Sequence, residues 1–181
     1  MTIMILALLT WGCQKPTVRT DFDSVADFTA FRTYAFAAFT DPDEGSVLND
    51  SEIRRRLESM LHEQLSMKGL TRVEAGVHPD LLVHYWVGMK KKHAGESTAP
   101  TGGFYGWRSG YAQGVGDGGL RTYAYTEGTL IVDLVSRFRN ELVWRGIIFG
   151  PLTGSREKKL QLTNEGIAMA FENYPPRTNT P

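Results

Sequence analysis

The sequence predicts an α+β domain: a mostly antiparallel sheet with two helices packed on one face, in the order β-β-α-β-loop-β-β-α. Three observations predict it. Ile53, Leu57, Met60, Leu61 and Leu65 recur at helical spacing and make one apolar stripe. Two apolar runs, Thr129 to Val135 and Leu142 to Phe149, flank a polar turn at Arg137 to Asn140, the pattern of a β-hairpin. Strand runs and helices do not alternate strictly, which disfavours a doubly wound parallel sheet.

Taken in order, Val18 to Phe22 reads as a strand and Thr33-Tyr34-Ala35-Phe36 as a second, with Asp27 to Phe31 a turn bearing two aromatic plugs. Thr40 to Val47 is rich in Asp, Pro, Gly and Ser, hence loop. A helix is expected over Asp50 to Lys68. Asn49 can cap it with Glu52 three residues on, Leu48 and Ile53 flank the cap, and Gly69 can close it in the left-handed conformation. In Arg54-Arg55-Arg56, pairing of Arg56 with Glu52 and Arg54 with Glu58 at i,i+4 favours a solvated face over a nucleic-acid patch.

Asp80 to Val87 reads as a strand, nearly all apolar apart from His84, so both of its faces are expected to be covered. A last helix is expected within Glu157 to Tyr174, with Leu160, Ile167, Ala170, Phe171 and Tyr174 on its apolar side and Pro175-Pro176 as its stop. Between the third strand and the hairpin lies Gly88 to Thr126. It has Lys90-Lys91-Lys92, many glycines, and Phe104, Tyr105, Trp107 and Tyr111. A connection this long is uncommon in a compact domain unless it has a function or lacks order. Aromatic rings on glycine-permitted turns can stack on sugars or enter an apolar surface, so these four residues form the candidate binding loop.

The 181 residues suffice for one core. Lys+Arg and Asp+Glu are both 20, so the chain has no basic field for nucleic acid. The single cysteine excludes an internal disulfide, and its position is informative. Ile3 to Trp11 is apolar but far short of the roughly 20 residues of a spanning helix. It suits the apolar core of a signal peptide over residues 1–12, and Gly12-Cys13 resembles a lipobox. Acylated Cys13 would start a tether over 13–17, with the domain over 18–176 and a frayed tail over 177–181. Thr10 and Trp11 stand where a lipobox usually has Leu and a small residue, and no Lys or Arg precedes the run, which suggests a start codon further upstream. An ordinary N-terminal strand with a buried Cys is the competing reading. The abrupt polar stop at Gln14-Lys15-Pro16 favours the lipobox.

Catalytic motifs are fragmentary. Gly114-Val115-Gly116-Asp117-Gly118-Gly119 matches a dinucleotide fingerprint without the strand before it or the helix after it. Ser155-Arg156-Glu157-Lys158 matches S-x-x-K without its companion motifs, and Ser155 suits an N-cap. His62-Glu63 begins a zincin motif that Ser66 breaks, while His78, His84 and His93 are scattered. No cofactor or metal is expected. Glu127 and Asp133 would share a strand face but lie roughly 20 Å apart, too far for a glycosidase pair. Asp133 is expected to meet Arg145 or His84 across strands, so Asp133, Trp144 and Arg145 form an expected structural motif.

The chain resembles a family of bacterial lipoproteins known only by a domain of unknown function, the DUF4136 type. The resemblance spans roughly Val18 to Pro176. It is carried by Asp21-Phe22-Asp23, Phe28 and Phe31 before Thr33-Tyr34-Ala35-Phe36, Lys68-Gly69-Leu70 and Pro79-Asp80-Leu81-Leu82-Val83. Most specific are Glu127-Gly128-Thr129-Leu130-Ile131-Val132-Asp133, Leu142-Val143-Trp144-Arg145-Gly146 and Tyr174-Pro175-Pro176. The resemblance implies a lipoprotein signal, a periplasmic α+β domain and no transferable catalytic residue. With Gln14 after Cys13, it also implies the periplasmic face of the outer membrane. The expected function is therefore a non-enzymatic binding or assembly module of the cell envelope. It would be bound to the membrane through Cys13 and meet an envelope protein or glycan, not nucleic acid. The alternative is an envelope hydrolase acting on a cell-wall or glycan substrate through Glu127, Asp133 or His84.

Overall fold

A computed structural model describes residues 15–39, 46–88, 128–150 and 154–177. Six strands form one sheet: β1 (Thr17–Phe22), β2 (Thr33–Phe36), β3 (Thr71–Arg72), β4 (Leu81–Gly88), β5 (Thr129–Ser136) and β6 (Glu141–Phe149). Their order across the sheet is β1-β6-β5-β4-β2-β3. Among the described residues the α-helices are α1 (Ser51–Met67) and α2 (Arg156–Phe171).

The sheet is mixed, which corrects the mostly antiparallel expectation. β1, β6, β5 and β4 pair antiparallel in succession, but β2 runs parallel to both β3 and β4. The cause is α1. A helix between two strands of one sheet returns the chain to the end where the first strand began, so the strands it connects run parallel. The chain order is also corrected by β3, a two-residue strand after α1, held by Thr71 N–H to Arg32 O (2.8 Å) and Val73 N–H to Tyr34 O (2.8 Å).

One carboxylate fixes the parallel register. Asp80 Oδ2 accepts from Arg32 N–H (2.9 Å), Thr33 N–H (2.8 Å) and Thr33 Oγ1 (2.9 Å), while Asp80 N–H donates to Thr33 Oγ1 (3.0 Å). The starts of β2 and β4 are thereby tied together before either strand's apolar side chains are counted.

The cap of α1 lies one residue later than expected. Asn49 belongs to a 3-10 turn over Val47–Asn49, and Asp50 caps α1 by accepting from Glu52 N–H (2.8 Å) and Ile53 N–H (3.4 Å). With Glu52 at the second helical position, the expected capping box does not form. Gly69, at φ +82, ends the helix in the left-handed region. Arg56 meets Glu52 at 2.7 Å, but Arg54 does not take Glu58. Its guanidinium donates to Leu48 O and lies over the Phe39 ring at 4.6 Å. Glu58 instead accepts from Tyr85 Oη (2.8 Å) and meets Arg72 at 3.5 Å.

Ser155 caps α2, accepting from Lys158 N–H at 3.2 Å. Leu57, Leu61 and Leu65 of α1 and Ile167, Ala170 and Phe171 of α2 share one buried cluster with the alternating β5 residues Leu130, Val132 and Leu134. Leu162 is buried in α2 as well, whereas Tyr174 lies beyond the helix end. Helix and sheet approach closely at Gly166, where a Cβ would overlap Ile148 Cγ2. Only glycine fits there. Phe28, Trp144, Phe171 and Tyr174 close one end of this layer, with ring centroids 4.7 Å apart for Trp144–Phe171 and 5.8 Å for Phe28–Tyr174.

Candidate functional site

Three features could carry function: a buried ion pair, a polar row along α1 and an apolar cavity.

The ion pair lies on the sheet face opposite the helices. Alternation along β5 turns Thr129, Ile131, Asp133 and Val135 away from the helix layer, and all four are buried. Asp133 pairs in register with Arg145 on β6 and with His84 on β4. Arg145 closes on it as a fork: Nε donates to Oδ1 at 2.7 Å and Nη2 to Oδ2 at 2.6 Å. The Asp133 side chain is 0% exposed and that of Arg145 6%, so the pair exists without the screening that weakens surface pairs. The Arg145 guanidinium also lies 5.7 Å from the Trp86 ring centroid. Trp144, next in the chain, points to the other face against Phe171. A β-bulge between Leu134 and Val135 shifts the register just beyond it and leaves Val143 as the extra residue of β6. With both oxygens committed to Arg145, Asp133 is arranged for a structural role.

The polar row joins α1 to β2, β3 and β4. Tyr34 Oη and His62 Nδ1 are 2.6 Å apart, with Ser66 Oγ 3.3 Å from the same nitrogen. Burial pushes the Tyr34 hydroxyl up to about 12, and burial next to Glu58 raises Tyr85 as well. Both therefore stay protonated, and Tyr85 donates to Glu58. In the sequence His62 figures only in the broken zincin motif, and it is the crossing of α1 over β2 that brings Tyr34 to it.

The cavity lies between the first halves of the two helices and one end of the sheet, with a volume of about 410 Å³. Leu48, Leu57, Leu130 and Leu162 form its buried lining, and Arg156 and Lys159 line it from the first turn of α2. Val87, Gly128 and Gly150 also line it, which places it at the end of the sheet where β4 stops, β5 starts and β6 stops. Thr17, the first residue of β1, pairs with Phe149 at that same end. So do the two points where the segment 89–127 leaves and rejoins the sheet, since Gly128 N–H donates to Gly88 O at 3.1 Å.

Of the residues singled out from the sequence, Asp133 and Arg145 are brought together on neighbouring strands, while Trp144 lies on the opposite face against Phe171. Cys13 and the aromatic residues Phe104, Tyr105, Trp107 and Tyr111 lie outside the described residues, as do Glu127, His93 and the Gly114–Gly119 motif. Among the described residues no group of His, Cys, Asp and Glu could hold a metal ion, and no helix is long and apolar enough to cross a membrane. The cavity is not legible in the sequence, because its lining comes from five separate segments. Its one visible sign is the run of cations opening α2.

Known proteins resemble this arrangement. The pattern of DUF4136, a domain of unknown function, matches residues 18–176. No curated protein matches the chain. The crystal structure of a DUF4136 family protein from Bacteroides thetaiotaomicron VPI-5482 is similar with a TM-score of 0.59 at 19% identity, over 92% of this chain and 99% of that one. A PDZ domain protein from Parabacteroides distasonis ATCC 8503 gives a TM-score of 0.55 at 16% identity, over 91% of this chain but 37% of that longer one. At these identities the likeness concerns the fold. The domain pattern spans nearly every described residue, and the chain belongs to the DUF4136 family.

Proposed function

We propose that this protein is a lipoprotein of the bacterial cell envelope, anchored through acylated Cys13, whose domain serves as a non-enzymatic binding or assembly module on the periplasmic face of the outer membrane. The observation that carries this reading is the convergence at one end of the sheet. The chain comes into β1 at Thr17 beside Phe149, and the segment with Phe104, Tyr105, Trp107 and Tyr111 departs and returns at Gly88 and Gly128 of the same end. Cys13 precedes Thr17 by so few residues that even an extended tether spans only about 14 Å. An anchor there would hold this end of the domain at the membrane surface, where an envelope protein or glycan partner would be met.

The hydrolase alternative would draw on Glu127, Asp133 or His84; of these, Asp133 is gripped by the Arg145 fork, which supports a structural role for that carboxylate. Mass spectrometry of the mature N-terminus tests the anchor: an acylated Cys13 is expected, and Cys13→Ser protein should leave the membrane fraction. Fractionation of that variant with membranes like the parent would sink the reading. Replacing Ala94 to Gly118 with a short Gly/Ser linker tests the loop. It is expected to abolish partner capture after envelope crosslinking while the thermal transition stays within a few degrees, since closure entropy changes only by about 0.6 kcal/mol per doubling of loop length.

A further inference from the structure

We propose that the cavity between α1 and α2 is a binding site for a medium-chain fatty acid, with the acyl chain among the leucines and the carboxylate on Lys159 and Arg156. The assignment uses described residues alone and does not rest on acylation of Cys13.

Volume is the first argument. A space of about 410 Å³ beside Leu48, Leu57, Leu130 and Leu162 is of the size used for small-molecule sites, roughly 300–1,000 Å³. Its lining is aliphatic, with Ile53 and Met60 continuing the apolar wall along α1. No aromatic ring lines it among the described residues, and its polar side chains, Arg156, Lys159 and Thr163, all come from α2. A flexible hydrocarbon chain meets it better than a polar ligand.

The mouth supplies the second argument. Arg156, Lys158 and Lys159 stand in the first turn of α2, where the helix dipole disfavours cations. Such charges weaken the helix unless something anionic meets them. Glu157 is the only acid in that turn. Arg156 is loosely shared with Glu52 at 3.7 Å and Asp50 at 3.9 Å, while Lys159 pairs with no carboxylate among the described residues. The helix N-terminus and Lys159 leave a positive charge without a carboxylate partner, among the described residues, at the opening of an apolar groove, with Arg156 beside it. That combination selects an amphiphile with a single anionic head. The position of the cavity, at the sheet end where Thr17 begins the domain, would set it beside the bilayer if Cys13 is acylated, and the bilayer would then be the source of the ligand.

Calorimetric titration of the purified full chain with dodecanoate, 1-dodecanol and lysophosphatidylglycerol tests the proposal. Saturable one-to-one binding of dodecanoate is expected. Thr163→Phe and Met60→Trp each fill the chamber from a different helix, and both should weaken dodecanoate at least about tenfold with the thermal transition retained. Lys159→Glu should weaken dodecanoate up to about fivefold, the range of an exposed ion pair, and leave dodecanol unchanged. Absence of saturable binding, or binding that survives both filling variants in folded protein, overturns the site. Equal loss of dodecanoate and dodecanol in Lys159→Glu overturns the head-group contact. Binding of the lysophospholipid without dodecanoate overturns the choice of ligand. The same titration on Cys13→Ser protein should be unchanged, so failure of the anchor and failure of the cavity are told apart.

Discussion

The two faces of the sheet are both buried at β5, yet they are built from different chemistry. Toward the helices, Leu130, Val132 and Leu134 meet rings and leucines, and the packing is shared among many residues. On the opposite face, Ile131 and Val135 flank Asp133, which Arg145 grips with two short hydrogen bonds. A dispersed apolar layer loses stability in proportion to what is removed. A buried charge pair does not divide, because removing one partner leaves the other desolvated and uncompensated.

The largest expected effect follows from that difference. Asp133→Ala should cost about 3–5 kcal/mol in denaturant unfolding, because Arg145 remains buried without its counter-charge. The double replacement Asp133→Leu with Arg145→Met should recover most of the loss. If the single and double variants are equally unstable, the opposite face is not organised around the pair.

Asp80 comes next, as the charged tie between β2 and β4. Asp80→Asn should cost about 1.5–3 kcal/mol, the range for hydrogen bonds to a charged group. Burial pushes this carboxyl up, but the hydrogen bonds from Arg32 and Thr33 outweigh it and hold it below the usual carboxylate range. Its stabilisation is therefore complete above the ordinary carboxylate value and is lost as pH falls through the depressed folded value. The acid limb of a stability-against-pH curve should be shallower in Asp80→Asn than in the parent.

On the helix side, Gly166→Val should cost about 1–3 kcal/mol by forcing α2 off Ile148, measured as a fall in the denaturation midpoint. The smallest effect has the opposite sign. Tyr174 Oη is buried with no hydrogen-bond partner among the described residues. Removing it in Tyr174→Phe keeps the ring packing and should stabilise by about 1 kcal/mol, visible as a raised thermal midpoint. A loss instead would show that the hydroxyl has a partner.

Long, periodic elements were legible in the sequence. The α1 stripe, the β5–β6 hairpin and its turn, the Ser155 cap and the Asp133–Arg145 register all follow from spacing over neighbouring residues. What was not legible depends on residues far apart in the chain. β3 is two residues long, too short for any period, and exists because Arg32 and Tyr34 offer carbonyls to it. The mixed sheet follows from where α1 returns the chain, which no local pattern records. The cap of α1 was misplaced by one residue because Val47–Asn49 folds as its own turn and leaves Asp50 to cap. The cavity was invisible for the same reason as β3. Its walls come from segments that meet only after the sheet has formed.

The pairing of β1 with β6 has a consequence for the order of folding. These two strands come from opposite ends of the chain, with Thr17 against Phe149 and Phe22 against Trp144. Contacts of such sequence separation bear the full entropy of closing the intervening chain and form slowly. β4, β5 and β6, joined as antiparallel neighbours, can pair earlier, and β6 then presents an unsatisfied edge until β1 arrives. Pulse-labelled hydrogen exchange during refolding should protect amides of β5 before those of β1. β1 is thus placed after the strands it joins, and it serves as the clasp of the sheet.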